Sequence, residues 1–184
     1  MTTPAPAPHD GIAATAADLI PRSTGHWPVG PSAFRRAFRG HPAGVVVITL
    51  DAGNGPVGFT ATSLASLSAE PPLVSFGINA RSSSWPHVRD GRTAVVHFLD
   101  ARHQPVAATF ATSGIDRFAA TAWRRLATGE PVLAEHAGWL RVRFRHQIPA
   151  GDSRLVIAHV EEARLAEAVT TSPLLYHDGA YHSL

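Results

Sequence analysis

A succession of short apolar, β-branched runs restricts the fold of this chain more than any other feature of the sequence. The first run is GVVVITL at residues 44–50, and the turn residues DAGNGP connect it to VGFTATSLASL, so these two runs predict a hairpin. Further strands are predicted at residues 73–78, 93–99, 139–148 and 154–163. The runs of the first half follow one another too closely for regular βαβ crossovers. The sequence therefore predicts a mainly β protein, an antiparallel β-barrel with inserted helices.

Short helices are predicted between the strands and before them. The first, at residues 32–38, places Phe34 and Phe38 on one face at i and i+4. The others are predicted at residues 85–89, 104–111 and 117–122. Residues 1–30 are rich in proline, alanine and threonine and predict a flexible N-terminal arm, within which residues 13–20 have the composition of a short docking helix. One folded domain is predicted over residues 31–184.

Composition excludes several function classes. The chain has no cysteine and no lysine, so a thiolate nucleophile, a thiolate metal site and a lysine Schiff base are all excluded, and any redox chemistry needs a cofactor. The net charge is +2 with no run of five like charges, which argues against nucleic acid as a partner. Neither a long apolar run nor a secretory signal is present, so we expect no membrane and a cytoplasmic protein.

Two familiar catalytic patterns are also absent. Eleven histidines occur without an H-E-x-x-H motif or a pair at i and i+4, so no metal is expected. A serine hydrolase would need G-x-S-x-G at a strand-to-helix turn, and the chain has none.

The string GNGPVG contains Gly53, Gly55 and Gly58 and satisfies the dinucleotide fingerprint G-x-G-x-x-G. That fingerprint needs a helix directly after it, and here Pro56 and a β-rich run follow. The three glycines are therefore predicted to supply positive φ angles in a hairpin turn.

A cluster of hydroxyls precedes the predicted helix at residues 85–89. Ser82, Ser83 and Ser84 lie at its start, where side-chain hydroxyls and free backbone N–H groups favour an anion, and Arg81 beside them adds a charge-assisted contact. Two interpretations are open. The cluster binds a phosphate, or one serine caps the helix and the others have no role.

The strand that begins near residue 57 is unusually rich in small hydroxyl residues, namely Thr60, Thr62, Ser63, Ser66 and Ser68. Small side chains let a flat ligand approach the backbone closely, and their hydroxyls can donate to its heteroatoms. The alternative is a threonine-rich outer strand without a ligand.

The run RVRFRHQI predicts a strand with two different faces. Alternation places Val142, Phe144, His146 and Ile148 on one side and Arg141, Arg143, Arg145 and Gln147 on the other. The arginine face either pairs with Glu161 or Glu162 of the next strand or binds an anionic nucleotide.

Six motifs in this order resemble the flavin reductase-like FMN-binding split-barrel family, which includes the reductase components of two-component flavin monooxygenases. The motifs are HPAGVVVITL, GFTATSLASLSAEPPL, the SSS cluster before WP, FATSGIDRF, AGDS and PLLYHDGAY. The resemblance implies a homodimer of six-stranded Greek-key split barrels, with FMN near the subunit interface. It also implies that Thr60, Ala61, Thr62 and Ser63 line the isoalloxazine and ribityl chain. Ser82, Ser83 and Ser84 would hold the phosphate, with Arg117 as a second contact to the phosphate or a contact to the nicotinamide nucleotide. The alternative for Arg117 is a surface pair with Asp116.

The chain departs from the family pattern on the nicotinamide side. Ser153 follows Asp152 where the family typically has a histidine, and His97 stands where a strand typically has asparagine. His97, Asp152 and Ser153 are the catalytic candidates, with His146 as another source of an imidazole. A histidine on an apolar strand also fits a hydrogen-bonded core position.

The resemblance implies a flavin reductase that transfers a hydride from NADH or NADPH to FMN, with FAD as the alternative flavin, and supplies reduced flavin to a partner monooxygenase. Two rivals are an FMN-dependent oxidoreductase that acts directly on an organic substrate and a flavin-binding module without turnover.

Overall fold

The computed structural model describes residues 29–165 and 172–184. The predicted arm at residues 1–30 lies outside the described residues except for its last two positions, and the short helix predicted within it lies wholly outside them. In the described ranges no helix combines the length and the apolar character needed to cross a membrane.

Strands make up most of the regular structure, and helices are few and short. The helices are α1 (Pro31–Arg39), α2 (Trp85–Asp90) and α3 (Gln104–Ala111), with a 3-10 turn at Ala101–His103 before α3. The strands are β1 (Ala43–Gly44), β2 (Val46–Asp51), β3 (Pro56–Ala61), β4 (Ala65–Ala69), β5 (Pro72–Asn79), β6 (Thr93–Phe98), β7 (Trp123–Arg125), β8 (Pro131–Leu133), β9 (Gly138–Ala150), β10 (Ser153–Leu165), β11 (Leu174–His177) and β12 (Ala180–Ser183).

The main sheet has seven strands in the order β3-β2-β6-β9-β10-β5-β4, and every neighbouring pair is antiparallel. The chain forms the β2–β3 hairpin at one edge, crosses to the β4–β5 hairpin at the other edge, and returns to β6 beside β2. The two edge strands do not pair with each other, so the barrel is split. The predicted fold class is confirmed, with seven strands in the main sheet where six were expected.

The additional strand arises because the run VGFTATSLASL, predicted as one strand, is divided after Ala61. At the break the Ser63 hydroxyl accepts from the Gly77 N–H at 2.9 Å and lies 3.2 Å from the Gly77 carbonyl. A side-chain hydroxyl thus replaces the ladder bonds at this point, and the chain continues as β4 on the opposite edge of the sheet.

The predicted alternation of β9 holds only as far as Phe144. Arg145 is an extra residue in the pairing with β10, because Ile157 pairs with His146 while the next residue pairs with Phe144. Beyond this bulge Gln147 is opposite the buried Val156 and donates to the carbonyl of Val88 at 3.0 Å. Gln147 therefore lies on the core side, and His146 and Ile148 lie on the other face, which reverses their predicted positions.

The arginines of β9 form ion pairs with the neighbouring strand. Arg141 and Arg143 both contact Glu161 of β10, and Arg141 also contacts the buried Glu130 at 2.8 Å. The predicted pairing interpretation is confirmed for these two arginines.

The described residues form three buried apolar clusters, of which the smallest contains Val95, Val132 and Trp139. One lies inside the curved sheet and includes Ile48, Phe76 and Val156. Another lies between β2 and α3 and includes Val47 and Phe110. Phe110 of this cluster also packs against Gly58 of β3, so α3 lies directly on the strand that lines the site described below.

The hairpin predicted at GNGPVG is confirmed, with one difference. Gly53 and Gly55 have positive φ and form the turn, in which the Ala52 N–H donates to the Gly55 carbonyl at 2.9 Å. Gly58 instead lies within β3, where a Cβ would be 2.6 Å from Cε1 of Phe110. Its role is close packing against α3.

No helix forms at residues 117–122, where one was predicted. The Asp116 carboxylate accepts from the Phe118 N–H at 2.9 Å, which closes a turn. Local side-chain bonds of this kind compete with helical backbone bonds, and here they prevail.

Candidate functional site

A small pocket of about 190 Å³ lies where the serine cluster meets the start of β3. Its walls come from three parts of the chain: β3 up to Gly58, the Ser83–His87 region around the start of α2, and the loop that carries Arg117. The structure thus places Ser83, Ser84 and Arg117 of the predicted cofactor residues around one cavity.

Arg117 brings a positive charge to the wall of this pocket. Its guanidinium donates to the carbonyls of Gly58 and Thr112, each at 2.9 Å, and to the hydroxyl of Ser84 at 3.4 Å. All three partners are neutral. Burial lowers the pKa of Arg117, and no carboxylate among the described residues pairs with it. A partly desolvated cation without a counter-ion is a favourable position for an anion.

The alternative for Arg117, a surface pair with Asp116, is not what the structure contains. The carboxylate of Asp116 is engaged with the Phe118 N–H instead. Both side chains line the pocket, but they are not ion-paired with each other.

The serines have three different environments. Ser84 is fully buried and its hydroxyl meets Arg117, whereas Ser83 is exposed on the pocket wall. The Ser82 hydroxyl accepts from the Ser84 N–H at 3.3 Å. The helix-capping alternative fails for Ser84, the residue before α2, because its side chain makes no cap bond. Arg81 is exposed, its N–H donates to the Asn79 side chain, and it does not line this pocket.

The open edge of β3 runs away from this pocket. β2 pairs with one side of β3, and in the described sheet no strand pairs with the other. Because Arg117 binds the Gly58 carbonyl, the backbone groups of Gly58 point away from β2, and strand alternation directs those of Thr60 the same way. The backbone N–H of Thr60 therefore faces outward along this edge.

Of the side chains predicted to contact the flavin beyond Gly58, some are already bonded or buried and others are exposed to a ligand. The Thr60 hydroxyl donates to the carbonyl of Ala107 in α3 at 2.6 Å, and Ala61 faces the core. Thr62 and Ser63 are exposed and line a larger pocket of about 910 Å³ between α1 and the β11–β12 hairpin. Four residues of extended chain, at about 3.3 Å each, separate Gly58 from Thr62 by about 13 Å.

Ser66 and Ser68 are not brought to either of these pockets. Both lie on β4, at the opposite edge of the main sheet, where they line an apolar groove together with Leu73 and Val160. The break in the predicted strand explains the separation.

Asp152 and Ser153 lie at the turn between β9 and β10. The Ala80 N–H donates to the Asp152 carbonyl at 2.9 Å, and Ser153 pairs with Asn79. The Ser153 hydroxyl lies 3.1 Å from the Asp152 carboxylate. This turn is thus fixed beside the segment that leads into the serine cluster, although neither residue lines the 190 Å³ pocket.

His97 was predicted as a catalytic residue, and this prediction is wrong because the side chain lies in the core. The side chain is 0% exposed, its Nδ1 lies 3.1 Å from the Val47 carbonyl, and its Nε2 accepts from the Leu133 N–H at 3.1 Å. Burial lowers its pKa to about 3. A substrate cannot reach this imidazole, because the side chain is not solvent-exposed and both ring nitrogens are hydrogen-bonded. His97 is therefore a hydrogen-bonded core residue, which was the alternative interpretation of its sequence position.

Two groups at the pocket were not found by sequence reasoning. The Gly58 carbonyl binds Arg117, and His87 lines the same cavity. His87 follows the serines within one helical turn, so its position was readable from the sequence. The backbone contact at Gly58 had no sequence signal.

The described residues contain no cluster of three histidine, aspartate or glutamate side chains arranged to hold a metal ion.

Comparison with known proteins gives consistent relatives. A family model described as flavin reductase like domain matches residues 38–184. A protein named NADH:FMN oxidoreductase from Rhodococcus erythropolis is 48% identical over 152 residues, which cover 81% of this chain and 79% of that protein. The reductase subunit of a flavin-dependent monooxygenase from Mycobacterium tuberculosis is 31% identical over 153 residues, 83% of this chain and 82% of that protein.

A solved structure agrees with these relatives. The crystal structure of a flavin reductase domain protein from Arthrobacter sp. FB24 has a TM-score of 0.79 and 37% identity, and the match covers 83% of this chain and 94% of that one. The resemblance read from the six motifs is confirmed. The chain therefore belongs to the flavin reductase-like domain family.

Proposed function

We propose that this protein is an NADH-dependent FMN reductase that supplies reduced flavin to a partner monooxygenase. The observation that carries the proposal is the partly desolvated Arg117, which has only neutral partners among the described residues and lies beside Ser83 and Ser84 in a small pocket. The relatives with the names given above support the reaction and the partner.

The residues of the 190 Å³ pocket fit the phosphate of FMN. A phosphate monoester carries close to two negative charges at neutral pH and accepts several hydrogen bonds. Arg117 would contribute the compensating charge, and the exposed Ser83 hydroxyl would donate, while the buried Ser84 hydroxyl holds the Arg117 guanidinium in position. His87 and Asp116 also line this pocket. The pocket is too small for the ring system, which must lie outside it.

The open edge of β3 is our candidate for the ring. It extends from Gly58, at the phosphate pocket, toward Thr62 and Ser63 at the larger pocket. Backbone N–H groups such as that of Thr60 would donate to the ring's oxygens and nitrogens, as preorganised donors for the charge that gathers on reduction. FMN, when bound, supplies the capacity to take up a hydride and pass electrons on.

The residues of this chain would orient the hydride donor and exclude water rather than act as an acid or base. Asp152 and Ser153 remain our candidates on the nicotinamide side, since their turn is fixed beside the serine segment. Ser153 in place of the family's typical histidine leaves that side without an imidazole at this position. NADH is favoured over NADPH by the names of the relatives.

We further propose a homodimer that works in the cytoplasm. Phe34 and Phe38 of α1 are 56% and 59% exposed and the centroids of their rings are 4.7 Å apart, so they form an apolar face that a second subunit would cover. No residue of α1 is buried within the single chain.

The test is a flavin titration combined with a turnover assay. The purified protein should bind FMN, measured by quenching of flavin fluorescence, and should oxidise NADH under air when FMN is added. Replacing Ser82, Ser83 and Ser84 together by alanine should weaken FMN binding at least about tenfold, the worth of one charge-assisted contact. Unchanged affinity would overturn the phosphate assignment, and a protein without flavin binding or NADH oxidation would overturn the function.

A further inference from the structure

The larger pocket of about 910 Å³ lies beyond the end of β3, on the side away from the phosphate pocket. Its walls come from α1 and the residues that follow it, from residues 62–64, and from the turn of the β11–β12 hairpin. Thr62 and Ser63 belong to this wall and also end the strand edge that is our candidate for the flavin ring. A ring on that edge therefore reaches the mouth of the larger pocket.

The larger pocket carries a positive charge that no described residue neutralises. Two arginines of α1 line it, Arg35 and Arg39, and Asp178 is the one acidic residue among the described residues of its wall. The Asp178 carboxylate is paired with Arg39. Arg35 lies one helical turn before Arg39 and makes no ion pair with any described residue. The guanidinium of Arg35 is thus available to an anion.

The reaction brings a second anion to the flavin. NADH has a diphosphate with two negative charges between its nicotinamide nucleoside and its adenosine. The nicotinamide must lie on the ring with the reacting atoms about 3–3.5 Å apart, so the diphosphate has to leave the ring to one side. The flavin phosphate is assigned to Arg117, and the turn of Asp152 and Ser153 offers a carboxylate, which does not suit a second anion. The larger pocket, with Arg35, is the better direction for the diphosphate.

The size and the walls of the larger pocket agree with a nucleotide. Pockets for small organic ligands usually measure about 300–1,000 Å³, and this one lies within that range. Tyr176 on its wall is 39% exposed, and its ring meets that of Tyr181 edge-on at 5.3 Å between centroids. An exposed aromatic ring supported in this way suits the flat adenine beyond the diphosphate.

We propose that Arg35 binds the diphosphate of NADH and directs the dinucleotide from the flavin ring into the larger pocket. The proposal rests on the proposed function, because it requires the ring to follow the edge of β3. It assigns to α1 a role in selecting the hydride donor, separate from the apolar face formed by Phe34 and Phe38.

The test uses two neighbouring arginines of α1 as a matched pair. Arg35 and Arg36 are both exposed, but only Arg35 lines the larger pocket. In Arg35→Met the KM for NADH, measured at saturating FMN, should rise about three- to tenfold, as expected for loss of one largely exposed charge contact. Its kcat should change less than about twofold and its dissociation constant for FMN should be unchanged, because binding of the donor alone is weakened. Arg36→Met should leave all three constants unchanged.

Salt distinguishes a charge contact from a change in the shape of the pocket. Raising the salt concentration from about 0.05 to 0.5 M screens exposed charges. The KM for NADH should therefore rise with salt in the unmodified protein and in Arg36→Met, and rise less in Arg35→Met. Arg35→Lys keeps the charge and should retain most of the affinity for NADH. Circular dichroism of each variant checks that the fold is intact.

The outcomes separate this inference from the proposed function. An equal KM for NADH in Arg35→Met, Arg36→Met and the unmodified protein overturns the inference and leaves the proposed function standing. A loss that falls on the dissociation constant of FMN instead places the flavin phosphate at Arg35, which overturns the inference and the assignment of the phosphate to Arg117. If the unmodified protein does not oxidise NADH when FMN is added, the proposed function fails and the inference fails with it.

Discussion

Replacement of Arg117 by methionine separates a phosphate contact from a structural role. Methionine keeps much of the apolar stem but removes the guanidinium, which bonds the Gly58 and Thr112 carbonyls at 2.9 Å and the Ser84 hydroxyl at 3.4 Å. Each lost bond to a neutral acceptor costs about 1 kcal/mol of folding free energy. The loss is partly offset because a partly desolvated charge is removed as well. We therefore expect the variant to fold, with a free energy of unfolding lower by about 1–2 kcal/mol.

The effect on binding should depend on the ligand. A charge-assisted contact to phosphate contributes about 1.5–3 kcal/mol, which corresponds to a rise of about 10- to 150-fold in the dissociation constant of FMN. Riboflavin has the same ring and ribityl chain without the phosphate, so its dissociation constant should change less than about threefold. Arg117→Lys keeps the charge without the planar fork and should give an intermediate loss for FMN.

The assay is a fluorescence-quenching titration of both ligands against the unmodified protein, Arg117→Met and Arg36→Met. Arg36 lies in α1, is exposed and makes no hydrogen bond to a described residue, so it controls for the loss of one positive charge. An equal loss of affinity for FMN and riboflavin in Arg117→Met would refute the reasoning, because it would assign Arg117 a structural role only. So would an unchanged affinity for FMN.

Three further results are expected. Gly58→Ala should lower the free energy of unfolding in urea by about 1–3 kcal/mol, because the new Cβ would lie 2.6 Å from the Phe110 ring. Adding Phe110→Leu should recover part of this loss. Unfolding free energies that simply add in the double variant would contradict the reasoning. Burial lowers the pKa of His97 to about 3, whereas an exposed histidine has a pKa near 6.5. The contribution of His97 to stability is therefore complete above about pH 6.5 and falls as the pH drops toward 3. His97→Gln should make the unfolding free energy depend less on pH in that window. Burial raises the pKa of Glu130, but hydrogen bonds from Arg141 and two threonines outweigh this effect and bring the pKa to about 2. Its stabilisation should therefore persist from neutral pH down to about 4.5 and be lost between about 4.5 and 2. Glu130→Gln should make the fall of the unfolding free energy in that window less steep, and an unchanged slope would count against this role.

The strands of the main sheet could be predicted because they belong to apolar runs bounded by turn residues, whereas the short strands β7, β8, β11 and β12 were not predicted. The hairpin between β2 and β3 and the later strands follow from periodicity and β-branched composition alone. The sequence was less informative where one side chain changes the path of the backbone. The bond between Ser63 and Gly77 that divides one predicted strand joins positions 14 apart, and no local pattern encodes such a contact.

The bulge at Arg145 illustrates the same limit within a strand. Strict alternation predicts a face for every residue, but one extra residue reverses all positions after it. Gln147 therefore reached the core side, where it bonds the end of α2. Bulges depend on the fit between two strands, which a single strand's pattern does not reveal.

The candidate site was predictable to a similar extent. The run of three serines left two interpretations open before the structure was known, a phosphate site or a helix cap with two spare hydroxyls. Arg117 came only from the family motif, since a lone arginine in a loop has no local signal. The structure adds that Gly58 and Ser84, distant in sequence, both meet its guanidinium. For His97 the local sequence was informative. A histidine within an apolar strand favours a core position, and His97 lies in the core.

The central claim is that the serine cluster and the loop of Arg117 together hold the phosphate of a flavin whose ring follows the open edge of β3. A crystal structure of the protein with FMN tests it most directly. We expect the phosphate oxygens within hydrogen-bonding distance of Arg117 and of at least one of Ser83 and Ser84, with the ring directed toward Thr62. A phosphate bound elsewhere, with Arg117 still bonded only to neutral groups, would contradict the account.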